Sequence, residues 1–338
     1  AVMAILKDRR MGRAPLAPPE IPPHLAPFYA IEAHSMLELE PPRHTRLRGL
    51  VLRAFTSRRI AALAPEIETI CHHLIDAFPD GPFDLLPAYA QEVPVIVIAR
   101  LLGVPETMTG QLLDWSNAMV AMYQARRDRT VEDAAARAAS EFADFLRDYV
   151  KARRTRPADD LITHLIAAEE DGARLTTDEL ITTCILLLNA GHEATVHSLG
   201  NGVKAVVETG AQGAVTDGPD RLAEEVLRFD PPLHMFTRHI YEDMELFGHR
   251  LSRGDEIGCL LGAANRDPAV WPDPNTFRPE RKPATHTAFG AGLHFCVGAP
   301  LARLELAVGL GTLFTRCPDL RLAHAPEYAH LYHFHGLE

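Results

Sequence analysis

At 338 residues the chain is long enough to bury a large core, and with 47% hydrophobic and 23% charged residues it is not a disordered, fibrous or disulfide-stapled miniature protein. Lys+Arg total 34 against 45 Asp+Glu, a net charge of −11, which excludes nucleic-acid binding driven by an overall positive field. Cys71, Cys184, Cys259, Cys296 and Cys317 are scattered with no CxxC pair, so the sequence points to a reducing cytoplasm; no signal peptide opens it, and its most apolar runs, Val93–Val104 and Cys184–Ala190, are too short or interrupted to span a membrane.

In chain order, Met11–Tyr29 is dense in proline (Pro15, Pro18, Pro19, Pro22, Pro23, Pro27), which predicts neither helix nor sheet. Only Ala1–Arg10 precede it, so a long surface loop over a site fits better than an interdomain linker. After Pro41-Pro42, apolar residues at three-to-four spacing predict helices over His44–Phe55, Ile60–Phe78, Val93–Leu102, Met108–Tyr123, Val131–Arg153, Asp160–Glu170 and Thr177–Val207. Thr176-Thr177-Asp178-Glu179 supplies an N-cap signature for the longest of these. Gly191 within it costs about 1 kcal/mol against Ala and makes room for something. Pro231-Pro232 then stops a helix, strands are predicted at Met244–Phe247 and Ile257–Leu261, and a meander runs over Asn265–Pro283. A last helix spans Pro300–Phe314, with proline in its first turn. The expected fold is mainly α with small β-sheets, in one integrated domain over 1–338. No initiator Met opens the chain, and its Tyr/Phe/His-rich end reads as an unfinished strand, so truncation is expected at both ends.

The densest chemical signal is Phe289-Gly290-Ala291-Gly292-Leu293-His294-Phe295-Cys296-Val297-Gly298. Glycines let backbone approach a flat ligand, and a cysteine just ahead of a helix N-terminus has its thiolate favoured by the dipole and free N–H groups. Those are the means of holding a metal thiolate.

This loop, with Ala299-Pro300-Leu301-Ala302-Arg303 after it, resembles the haem-binding loop of bacterial cytochromes P450, and the resemblance runs along the whole chain. It implies the P450 fold, haem b as cofactor, Cys296 as proximal iron ligand, and Phe289, Gly290 and Gly298 as parts of the cradle. Glu225-Val226-Leu227-Arg228 matches the family's Glu-x-x-Arg, and i and i+3 share a helix face; with Arg281 as third member the family role is a structural ion pair. His44 and Arg48 share a helix face as well, and with Arg238 and His294 the resemblance makes them donors to the haem propionates. Ala190-Gly191-His192-Glu193-Ala194-Thr195 is similar to the family's oxygen groove, where an acid and an alcohol relay protons. Here the sequence departs from the family. Ala194 stands where the alcohol is expected, and Thr195 lies about 100° further round the helix.

A zinc reading of His192-Glu193 with His197 fails, because five residues apart puts the histidines roughly 140° out of line. By family position Leu187, Leu233, His234, Met235, Phe236, Met119, Met122 and Phe334 are substrate-pocket candidates, each equally readable as ordinary core. Arg43, Arg46, Arg53, Arg58 and Arg59 make a basic stretch, either a plain solvated face or a docking site for an acidic electron donor.

The resemblance implies a monooxygenase that inserts one atom of O2 into an apolar small molecule by hydroxylation or epoxidation. Electrons are expected from NAD(P)H through a separate ferredoxin and its reductase, with no nucleic-acid or membrane partner. Two alternatives stand beside it: a peroxide-driven oxygenase, and a non-catalytic haem sensor or remnant. The family normally has a further helix and strands ahead of the point matching Ala1 and a strand completed beyond Glu338.

Overall fold

Thr176 accepts from the Glu179 N–H at 3.2 Å while the Glu179 carboxylate accepts from the Thr176 N–H at 3.0 Å, a capping box that starts helix α10 (Thr177–Thr209). Gly210 ends it in the left-handed region at φ 67°. Most of α10 is buried, as its apolar composition on all sides requires, and the other long helices pack around it.

The computed structural model describes residues 1–124, 126–168, 172–282, 284–330 and 333–338. Ahead of α10 come α1 (Val2–Lys7), β1 (Met11–Gly12), α2 (Ala26–Glu32), α3 (Arg43–Ala54), α4 (Ser57–Ala61), α5 (Ala64–Asp76), α6 (Glu92–Leu102), α7 (Thr109–Val120), α8 (Arg129–Thr155) and α9 (Leu161–Ala167). After it come α11 (Gly213–Asp217), α12 (Pro219–Phe229), β2 (Met235–Ile240), β3 (Met244–Leu246), β4 (His249–Leu251), β5 (Glu256–Leu260), α13 (Leu261–Ala264) and α14 (Ala299–Arg316). Helix α14 packs on α5, α12 and α10, while α7 and α8 lie against each other through Trp115 stacked on Phe142 at 5.0 Å.

Strand β2 is the centre of a three-stranded antiparallel sheet, β1-β2-β5, in which Met235 faces Leu260 and Met11 faces Ile240. A smaller core including Ile5, Leu6, Ile240, Cys259 and Ala291 ties this sheet to α1 and to the glycine-rich loop. Among the described residues no helix is long and apolar enough to cross a membrane.

Several elements differ from the sequence expectation. The proline-dense segment holds β1, just before the first proline, and α2, whose Pro27 sits in the first turn where a missing N–H costs nothing. Proline forbids helix interiors, and the segment uses it only at a start. The helix expected over Ile60–Phe78 is two, α4 and α5, parted ahead of Pro65, which again opens a helix. Beyond α7, residues Ala121–Tyr123 tighten into a 3-10 turn. Helix α9 stops at Ala167; Glu169 and Glu170 of the expected helix and Pro283 of the expected meander lie outside the described residues. Phe247 leaves the expected strand for a hairpin turn, at φ 52° with Gly248 at φ 80°, and Leu261 starts α13. Strand β2 is not among the expected elements.

Candidate functional site

The glycine-rich loop is held from beneath by a chain of bonds that begins at α12. Arg228 is 1% exposed and donates to both carboxylate oxygens of Glu225 at 2.7 Å, to the carbonyl of Pro274 at 2.9 Å and to that of Asn265 at 3.0 Å. Glu225 also takes the Arg278 N–H at 2.7 Å and Arg281 Nε at 3.4 Å. Asn265 in turn accepts from the Thr287 N–H at 2.6 Å, and the Thr287 carbonyl accepts from the Gly290 N–H at 2.8 Å. The buried ion pair therefore fixes the meander, and the meander fixes the loop.

Within the loop the Cys296 N–H donates to the Phe289 carbonyl at 3.0 Å, closing it. Gly290 sits at φ 67°, a conformation that favours glycine, and a Cβ there would press on the Phe236 ring at 3.0 Å. Cys296 is half-buried, two residues ahead of Gly298, the N-cap of α14. Burial pushes its thiol up, while the N–H groups of Gly298 and Ala299 and the nearby Arg48 favour the thiolate.

His44 and Arg48, one turn apart on α3, face this loop. Arg48 donates to the Phe295 carbonyl at 2.6 Å. His44 is buried with its ring 4.4 Å from that of His294 and its Nδ1 without a partner. Burial first, then His294 and Arg48, bring its pKa down to about 4. His294 bonds Glu40 at 3.1 Å, a partner the sequence did not single out although it sits immediately before Pro41-Pro42. Arg238 on β2 is 3% exposed and bonds the carbonyl of its neighbour Thr237 at 2.9 Å. Among the described residues neither Arg48 nor Arg238 has a carboxylate within salt-bridge distance. Two guanidiniums lacking counter-ions and an orphaned imidazole nitrogen near one cysteine suit a dianionic, thiolate-ligated cofactor such as haem b.

On α10 the burial pattern breaks at its middle. Ala190 is exposed, Gly191, Glu193 and Ala194 are half-buried, and a Cβ built on Gly191 would meet nothing within 4 Å. Burial raises the Glu193 pKa, but His197, 3.5 Å away, and His192 more than offset this and hold it below the ordinary range. Ala194 carries no polar atom to this face, and the Thr195 hydroxyl donates to the Gly191 carbonyl at 2.9 Å.

Of the pocket candidates, Leu233 and Phe334 meet in an isolated β-bridge, and the His234 ring lies 4.5 Å from that of His335. Leu187, Met119 and Met122 are buried in the main core, where Asn189 of α10 touches the Met119 sulfur at 3.8 Å. Phe236 packs under Gly290. Met235 lines a cavity of about 220 Å³ together with Thr237 and His239 on the same face of β2, Glu256, Arg13, Glu38 and His333. The alternation along β2 was the signal for that lining, legible only once the segment is read as a strand.

A cysteine presented at a helix start, with Arg48 bonded to its loop and no carboxylate in salt-bridge range of that arginine among the described residues, fits a haem-thiolate site. The family profile described as cytochrome P450 matches residues 220–318, from α12 through the loop into the last turns of α14 and just past them. The cytochrome P450 monooxygenase PikC of Streptomyces venezuelae is 38% identical over 329 residues, covering 95% of this chain and 75% of the relative. Nocardicin C N-oxygenase of Nocardia uniformis subsp. tsuyamanensis is 39% identical over 334 residues, covering 96% of this chain and 82% of the relative. The crystal structure of P450BioI in complex with hexadec-9Z-enoic acid ligated acyl carrier protein matches with a TM-score of 0.93 at 32% identity, over 100% of this chain and 88% of that one. The chain belongs to the cytochrome P450 family, and is a haem-thiolate monooxygenase that binds haem b and uses O2, a small-molecule substrate and redox partners.

Proposed function

We propose that the chain, as one domain over 1–338, inserts one oxygen atom into an apolar organic substrate by hydroxylation or epoxidation, with electrons from NAD(P)H delivered by a separate cytoplasmic ferredoxin and its reductase. The observation that carries this is Cys296 at the start of α14 with the N–H groups of Gly298 and Ala299 turned to its sulfur. Cys296 is the proximal ligand, and those N–H groups moderate the charge its thiolate pushes toward the metal. His44, Arg48 and Arg238 hold the propionates, with His294 oriented by Glu40. Haem b so held supplies the activation of O2 and the oxygen-insertion chemistry.

The remaining roles belong to side chains of α10 and of the pocket. Ala190 and Gly191 leave room on α10, and Glu193, kept ionised by His197 and His192, draws water and protons toward the groove. Leu187, Leu233, Met235, Phe236 and Phe334, with Met119 and Met122 behind them, give the pocket its apolar character, and His234 places one polar atom in it. The exposed Arg43, Arg53 and Arg58 on α3 and α4 form the donor-docking face, while Arg46 bonds Glu179 and Arg59 bonds His164 at 3.1 Å.

The test is product formation with NADH, ferredoxin and reductase, set against hydrogen peroxide alone. Turnover with the reductase system supports the reading. Product from peroxide only would replace it with a peroxide-driven oxygenase, and no product from either, despite substrate-induced spin-state change, with a haem-binding sensor.

A further inference from the structure

Met235, Thr237 and His239 share one face of β2, and Leu233, two residues ahead of Met235, is joined to Phe334 by a β-bridge. The chain therefore passes from apolar to polar as it leaves the pocket. Gly258 of β5 pairs with Thr237, and a Cβ on it would lie 2.6 Å from the Met235 sulfur, so glycine is what lets Met235 lie across this face. Over the polar end opens the cavity of about 220 Å³, lined from other elements by Arg13, Glu38, Glu256 and His333. It is smaller than the roughly 300–1,000 Å³ that takes a whole small molecule, so it suits one group at the end of a larger one.

The free hydrogen-bonding groups of its walls set the chemistry of that end group. Arg13 donates to Glu38 at 2.7 Å and to the Leu37 carbonyl at 3.2 Å, and His239 lies 3.2 Å from Glu256. Each carboxylate has a partner on the wall, so neither an added cation nor an added anion would meet a lone charge. Both carboxylates use one oxygen in these contacts and keep the other as an acceptor. Among the described residues the Thr237 hydroxyl and the two ring nitrogens of His333 bond to no protein group. Burial, then Arg13, brings the His333 pKa down to about 4, so its neutral ring offers one donor and one acceptor. Donors and acceptors lie side by side with charges already matched, and a group that is itself both donor and acceptor answers them: a hydroxyl, several at a time.

We propose that this cavity is a polar subsite for the substrate and takes a neutral group bearing several hydroxyls, a sugar ring or an open polyol, while the apolar body attached to it lies along Leu233 and Phe334. This rests on reading those residues as the substrate pocket, and it adds the class of substrate: an apolar skeleton with a hydroxylated end. Thr237 and His333 set specificity and take no part in bond-making.

The test uses four probes with the same eight-carbon tail on the haem-loaded protein: octyl β-glucoside below its micelle threshold, octanol, octanoate and octyltrimethylammonium. Dissociation constants come from haem spin-state change and from calorimetry. The glucoside should bind about tenfold tighter than octanol, and the two ionic probes no tighter than octanol. Octyl glyceryl ether tells the two sources apart: it matches the glucoside if hydroxyls alone are read and falls behind it if the ring is, and either result supports the subsite. Thr237→Val keeps the branched shape of a strand residue and breaks no bond within the protein, so it should weaken the glucoside by about fivefold and leave octanol unchanged. His333→Phe should do the same. Equal constants for glucoside and octanol, an ionic probe bound tightest, or a glucoside preference that survives both variants overturns the subsite. Octanol bound equally well by Phe334→Ala would instead overturn the pocket reading on which the placement of the apolar body rests.

Discussion

Replacing Glu225 by Gln removes one charge from a pair whose side chains are 1% and 3% exposed, and leaves the Arg228 guanidinium buried without a counter-ion. Breaking a buried pair on one side costs about 3–5 kcal/mol, far above the 0–1 kcal/mol of an exposed pair. Arg228 would keep its bonds to the Asn265, Pro274 and Thr276 carbonyls at 3.0, 2.9 and 3.3 Å, so the lower end, about 3 kcal/mol, is expected. That is a large share of the roughly 5–15 kcal/mol that holds a native protein together. The measurement is urea unfolding followed by far-ultraviolet circular dichroism, where the midpoint falls and the slope stays the same. Because the bonds from Arg228 run through Asn265 and Thr287 to Gly290, part of the variant should also lose the thiolate signature of its reduced carbon monoxide complex. A double variant, Glu225→Leu with Arg228→Met, should recover much of the stability, since no lone charge is then left inside. A loss below about 1 kcal/mol in Glu225→Gln would show the pair to be solvated and the reasoning wrong.

Cys296→Ser should abolish the strongly red-shifted Soret band of the reduced carbon monoxide complex, while the same change at Cys71, Cys184, Cys259 or Cys317 leaves it; a band that survives in Cys296→Ser refutes the ligand assignment. Charge reversal at Arg53 and Arg58 should slow reduction by ferredoxin and spare peroxide-supported turnover, with added salt imitating the effect in wild type; equal rates at low salt would make these residues a plain solvated face. Burial, then Arg13, brings the pKa of His333 down from the ordinary 6.5 to about 4, so the unfolded chain binds the extra proton between those values. Stability is full above pH 6.5 and falls as pH is lowered toward about 4, and His333→Phe should flatten that slope; an unchanged slope excludes His333 as its source.

What the sequence revealed of the fold follows the strength of local signals. Helix α10 was legible from both ends because its cap is made by adjacent residues, Thr176 and Glu179, and its stop by Gly210. Strand β2 was not, because one ladder partner, Met11–Gly12, comes from near the start of the chain and the other, Glu256–Leu260, follows only after the β3–β4 hairpin. The break between α4 and α5 and the start of α2 turn on whether a proline opens a helix or interrupts one, which composition alone leaves undecided.

The site divides the same way. The loop around Cys296 is contiguous, so residue types and spacing announce it, whereas Arg48, Arg238 and His44 become informative only when the fold shows what they lack. Among the described residues none of the three has a carboxylate within salt-bridge distance, a balance no single segment contains. The burial of Glu305, a 1% exposed residue of α14, was hidden for a related reason. A glutamate two residues after Arg303 reads as the wet side of an amphipathic helix, and Arg303 does pair with Glu224 near the surface. Helices α5, α12 and α10 cover α14 from several directions, so a step of two residues passes from that surface pair to full burial. Burial there, with no cation in salt-bridge range among the described residues, raises the Glu305 pKa well above the ordinary range, against the Thr195 hydroxyl that donates to it.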